Sequence, residues 1–160
     1  MLLLSLLALS ADAQAKDLRS RIGVGLYQPI DIGTKGGSLT MISLRYGLPL
    51  AKPTQNLILE LDAGFRVDAS LAEAGYGGGL RVLYALVVED NLNFYGSVYG
   101  GYQQNFGGDP AGRITPGVGA EFFPFGLDNL GISADIGLNL DLGKEVHFGT
   151  APALGVRYYF

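Results

Sequence analysis

The stretch LILELDAGFRVD at 57–68 alternates along its length. Leu57, Leu59, Leu61, Ala63, Phe65 and Val67 share one side of an extended chain, and Glu60, Asp62, Gly64, Arg66 and Asp68 share the other. A period of two belongs to a strand, because successive side chains of an extended backbone point to opposite faces. LGISADIGLNLD at 130–141 repeats the pattern, with Leu130, Ile132, Ala134, Ile136, Leu138 and Leu140 set against Gly131, Ser133, Asp135, Gly137, Asn139 and Asp141. Both runs are long enough to cross a bilayer as tilted strands, which takes roughly 9–11 residues. No internal run reaches the roughly 18 apolar residues of a membrane-spanning helix, so any crossing is made by strands.

Similar runs, separated by clusters of Gly, Pro, Asn and Asp, recur through the chain. They read as strands at about 21–28, 39–48, 57–68, 76–88, 92–103, 113–123, 130–141 and 152–160. Eight antiparallel strands make the smallest even-numbered barrel of the outer-membrane type. Two runs fit less well: 76–88 puts Leu83 and Val87 on the polar side, and Pro116 removes a ladder donor from 113–123. The outer loops fall at about 29–38, 69–75, 104–112 and 142–151, short for a protruding adhesive sheet.

Alternation alone does not say which face is inside. The side opposite the large apolar residues carries Gly23, Gly25, Gly64, Gly119, Gly131 and Gly155 among others, and small residues suit the narrow concave side of an eight-stranded cylinder. The reverse sense would crowd more than thirty large apolar side chains into that lumen. The charges agree. Lys16, Lys35, Lys52 and Lys144 all lie outside the strands, whereas Arg45, Arg66, Arg81, Arg113 and Arg157 share the glycine side with Glu60, Asp62, Asp68, Glu121, Asp135 and Asp141. A charge facing lipid at mid-membrane costs about 2–4 kcal/mol. With the amino terminus at the inner side, Tyr46, Phe94, Phe122, Tyr158 and Phe160 fall near one rim and Phe65, Tyr76 and Tyr102 near the other, as two interfacial girdles. The alternative outside membranes is a soluble lipocalin-like binder with the apolar side turned in.

Residues 1–15 read differently. MLLLSLLAL is a short apolar run, and Ala13 and Ala15 form a small-x-small cleavage pattern, so 1–15 is expected to be a signal peptide and 16–160 the barrel domain. The Lys or Arg that opens such a leader is missing, which is the expectation for a truncated start.

In the last run Leu154, Val156, Tyr158 and Phe160 point one way and Ala153, Gly155, Arg157 and Tyr159 the other, and the chain stops on the aromatic ring. This pattern resembles the carboxy-terminal signal by which outer-membrane barrels are recognised during assembly. With GVGLY at 23–27 and GVGAEFF at 117–123, the chain resembles the small eight-stranded OmpA-type and OmpX-type barrels of Gram-negative bacteria. The resemblance implies residence in the outer membrane among phospholipid and lipopolysaccharide, both termini in the periplasm, a monomer, and transient contact with periplasmic chaperones and the barrel-assembly machinery. The anchoring role of two-domain OmpA-like proteins is not carried over.

The chemistry expected inside is structural. Arg45, Glu60, Asp62, Arg66, Asp68, Arg81, Arg113, Glu121, Asp135, Asp141 and Arg157 form a near-balanced set, suited to bidentate guanidinium–carboxylate pairs that fill a confined lumen. The competing reading is a narrow pore or transporter for small molecules. Tyr95 and Tyr99 fill the lumen. An enzyme is not expected: the one hydrolase reading places His147 in the last outer loop with Ser133 or Ser97 and Glu121, as in lipid-A-modifying barrels, but KEVHFGT carries no such motif. No cofactor is expected. A single His and no Cys leave only oxygen ligands for a metal, and no calcium-loop spacing occurs. The formal charge of -4 gives no electrostatic reason to bind nucleic acid. The expected function is a small outer-membrane barrel with a polar, closed lumen and a structural or envelope-interaction role.

Overall fold

The structure is a computed structural model that describes residues 17–30, 32, 39–49, 56–68, 73–104 and 109–160, without the side chains of Asp68 and Glu73. The expected signal peptide lies outside them. Eight antiparallel strands follow one another around a closed barrel: β1 (Ile22–Pro29), β2 (Met41–Gly47), β3 (Leu57–Asp68), β4 (Glu73–Val88), β5 (Leu92–Gln104), β6 (Ala111–Phe122), β7 (Leu130–Leu142) and β8 (Val146–Tyr159). Closure is made by β1 on β8, from Gly23 opposite Tyr159 to Pro29 opposite Ala153.

The register sets the tilt. Stepping sideways from Gly25 leads through Ser43, Asp62, Gly79, Gly101, Arg113 and Asp141 to His147. Gly25 itself faces Arg157, ten residues further along β8 than His147. A closed sheet with this stagger has strands inclined about 40° to its axis. The incline carries Arg157 and Tyr159 of β8 across the lumen from Arg45 and Glu60.

Burial follows the alternation with the apolar face outward. Ile42, Leu61, Ile136 and Leu154 are more than half exposed, while Arg45, Glu60 and Arg157 are 0% exposed. A soluble protein does not expose so continuous an apolar surface; only acyl chains solvate it without penalty.

Three sequence expectations need correction. Leu83 does point inward and is fully buried, but Val87 is exposed beside Leu86. A bulge between Ala85 and Val87 inserts one residue and re-phases the end of β4, putting both side chains outside. The supposed outer loop at 142–151 is a tight hairpin: β7 runs to Leu142, β8 begins at Val146, and Gly143 N–H donates to the Glu145 carbonyl at 3.3 Å. Gly149 and Thr150 fall within that expected loop, yet they continue the ladder opposite Asn139 and Leu138. β4 also starts earlier than expected, at Glu73, where it supplies the ladder partner of β3 up to Asp68. Pro116 interrupts only one side of β6: it pairs with Val98 of β5, while the ladder to β7 skips from Ile114 to Gly117.

Replacing Ile136, outward and 56% exposed, with Arg is expected to cost about 2–4 kcal/mol in a bilayer. Urea unfolding in phospholipid vesicles measures it; an unchanged midpoint would mean that this face does not meet lipid.

Candidate functional site

The parity of the strands delivers charge to the axis. Arg45, Glu60 and Arg81 stand directly opposite one another on β2, β3 and β4, and Glu121 and Arg157 approach from β6 and β8. Arg45 Nε lies 3.0 Å from Glu60 Oε2, and its Nη1 lies 3.0 Å from Glu121 Oε2. Arg157 Nε donates to Glu60 Oε1 at 2.9 Å and to Ser43 Oγ at 3.0 Å, Nη2 also reaches Glu60, and Nη1 donates to Ser133 Oγ at 2.8 Å. Glu121 accepts from the Tyr159 hydroxyl at 2.9 and 3.0 Å. Glu60 is thus shared by guanidiniums from three strands and completely buried.

Arg81 is held more loosely. Its Nη1 is 3.7 Å from Glu60 and its Nη2 3.7 Å from Asp62. The guanidinium lies over the Tyr27 ring at 4.0 Å from its centroid, an arrangement in which the ring face attracts the cation. Asp62 is 3% exposed, and neither carboxylate oxygen has a hydrogen-bond partner among the described residues. Towards the end of the barrel away from the termini, Arg113 grips Asp141 through Nε at 2.6 Å and Nη2 at 2.7 Å. Asp135 accepts from Tyr95 at 2.5 Å. Between these groups and Arg81 lies a narrow recess lined by Tyr27, Met41, Tyr99, Gln103, Thr115 and Asn139.

Nine of the eleven expected charges therefore face inward: Arg45, Glu60, Asp62, Arg81, Arg113, Glu121, Asp135, Asp141 and Arg157. Arg66 does not join them. It stands on the lumen parity but is exposed, because the last residues of β3 form a two-stranded extension with β4 at Gly75. The Asp68 side chain is outside the described set. Tyr27, Tyr95, Tyr99 and Tyr159 complete the lumen, and all were legible as inward by parity. Ser43 too falls on the inward parity. Phe123 ends the 113–123 run on the same parity as Glu121 and is buried, whereas Leu18 lies outside the alternating runs and had no such signal.

The hydrolase grouping is not assembled. Ser133 is buried on the Arg157 guanidinium, while His147 sits in β8 opposite Asp141, near the β7–β8 hairpin. Asp141 is eight residues along β7 from Ser133, about 26 Å at the rise of a strand. His147 Nε2 lies 3.6 Å from Glu145 Oε2.

Neither a protein-family model nor a curated protein sequence matches the chain. Solved structures do. The N-terminal β-barrel domain of Pseudomonas aeruginosa OprF superposes with a TM-score of 0.63 at 17% identity, covering 89% of this chain and 98% of that one. Ail, the attachment invasion locus protein of Yersinia pestis, gives 0.57 at 17% identity over 89% and 99%. Its complex with the heparin analogue sucrose octasulfate gives 0.54 at 16% identity over 88% and 97%. The fold is that of small eight-stranded outer-membrane barrels.

Glu60→Gln removes the carboxylate that three guanidiniums share and is expected to destabilise the barrel by about 3–5 kcal/mol. Exchanging Arg113 and Asp141 together for Met and Leu should be nearly neutral, because both members of that pair leave at once. Denaturant unfolding in lipid compares the two; equal losses would mean that Glu60 is not the centre of the set.

Proposed function

We propose that this chain is a bacterial outer-membrane barrel whose lumen is closed, with a structural or envelope-interaction role and no catalysis. The single observation that carries the reading is the inversion of its surfaces: apolar residues exposed around the outside, and Arg45, Glu60, Glu121 and Arg157 sealed within. Acyl chains and lipopolysaccharide form its surroundings, and both termini lie in the periplasm. Leu154, Val156, Tyr158 and Phe160 all face outward on the final strand, which suits a signal read by the barrel-assembly machinery while the seam between β1 and β8 is still open. Tyr158 and Phe160 meet edge to face with ring centroids 5.1 Å apart.

Packing and charge support the closed lumen. An ion entering from outside passes the recess above Arg81 and then meets side chains with no accessible surface, fixed by hydrogen bonds from several strands. Displacing one leaves its partners buried and uncompensated, a cost of several kcal/mol. Pure protein in planar bilayers should therefore give no steady current. Sizeable, stable single-channel steps would replace this reading with that of a pore. In cells, Phe160→Gly should reduce the heat-modifiable, folded fraction in the outer membrane; an unchanged folded fraction would remove the assembly role of the terminus.

A further inference from the structure

Below the charges, at the inner mouth, lies an apolar cluster of Leu18, Ile58, Leu83, Tyr95, Phe123 and Tyr159, each 4% exposed or less. Two members come from outside the barrel wall. Phe123 rises from the β6–β7 connection, with its N–H donating to the Asn91 carbonyl at 2.8 Å. Leu18 arrives on the segment that precedes β1, and that segment is fastened under the mouth. Ser20 adopts the left-handed conformation, φ 59°, and its N–H donates to the Gly47 carbonyl at 2.7 Å. Arg21 N–H returns to the Leu18 carbonyl at 3.1 Å, and Arg19 bridges Gly47 in parallel.

Gly47 makes this approach possible. A Cβ there would run into the Leu18 carbonyl, so any side chain at 47 pushes the segment away. A second fastening is local: Arg19 donates to Asp17 through Nε at 2.9 and 3.0 Å and through Nη2 at 2.6 Å. Those hydrogen bonds hold the Asp17 carboxyl below the usual carboxylate range, so the pair stays charged through mildly acidic pH. The layer above is direct. Tyr159 packs its ring against Phe123, centroids 5.8 Å apart, and gives its hydroxyl to Glu121. Leu18 and its neighbours thus stand between the water of the inner side and the Glu121–Arg45–Glu60 charges.

We propose that Asp17–Ser20 is a removable stopper: Leu18 seated in the apolar cluster seals the inner mouth, and release of the segment admits water and small solutes to the charged lumen. This deepens the closed-lumen reading and rests on it.

The chain contains no cysteine, so one can be introduced as a reporter. Ser133→Cys places a thiol 1% exposed in the native residue, within the charged layer and away from the stopper. In nanodiscs, reaction with a small cationic methanethiosulfonate reagent should be slow. Adding Leu18→Ala should raise the rate about tenfold or more, as expected when local opening becomes easy. Gly47→Ala displaces the segment without touching the seal and should do the same, with Asp17→Ala between. Heat-modifiable mobility checks that each variant is folded; if Leu18→Ala is not, Gly47→Ala and Asp17→Ala decide. Unchanged rates in the folded variants overturn the stopper and leave the closed lumen standing, whereas steady current from the unmodified chain overturns the closed lumen beneath it.

Discussion

In hydrocarbon no water is present to satisfy a backbone N–H or C=O, so an extended chain can cross only when its first strand pairs with its last. The ladder from Gly23–Tyr159 to Pro29–Ala153 meets that requirement here, and most of the architecture follows from it. Eight strands closed with a ten-residue stagger enclose a lumen that side chains fill. Once the wall is closed, one face of every strand has acyl chains as its solvent, and the other has only its neighbours across the axis.

That geometry explains why the interior is ionic. Were the lumen as apolar as the exterior, a strand slipped by one residue would exchange two greasy faces at little cost. Charges on one parity remove the degeneracy, since each turned towards lipid costs about 2–4 kcal/mol. Buried ion pairs add little net stability, because desolvation offsets attraction; confined to one parity, charges favour one register over its one-residue slip. Arginine suits the task better than lysine, as its planar fork bridges acids from separate strands. Arg157 joins Glu60, Ser43 and Ser133 in this way, and Arg45 joins Glu60 to Glu121.

Much of this was legible. The parity of Arg45, Glu60, Arg81 and Arg157 follows from counting by twos, and the inward tyrosines and glycines follow by the same count. A count cannot detect an inserted residue, so parity puts Val87 inside although the bulge after Ala85 turns it out. Nor does it see where a strand rises beyond the closed wall, so parity groups Arg66 with the lumen although it stands exposed beyond it. Gly149 and Thr150 read as loop, but the partner strand β7 holds them in register.

By itself, the sequence determined the fold class, the number of strands, the face that meets lipid and the sign of the interior, because each is a property of period and composition along one strand. Only the tertiary structure decided which charges meet. Glu60 gathers Arg45 and Arg81 from adjacent strands, but Arg157 reaches it only because the stagger carries β8 across the axis. The seating of Leu18 among Phe123, Leu83 and Tyr159 belongs to the same category. Those residues lie far apart along the chain, and closure of the barrel brings them to one mouth.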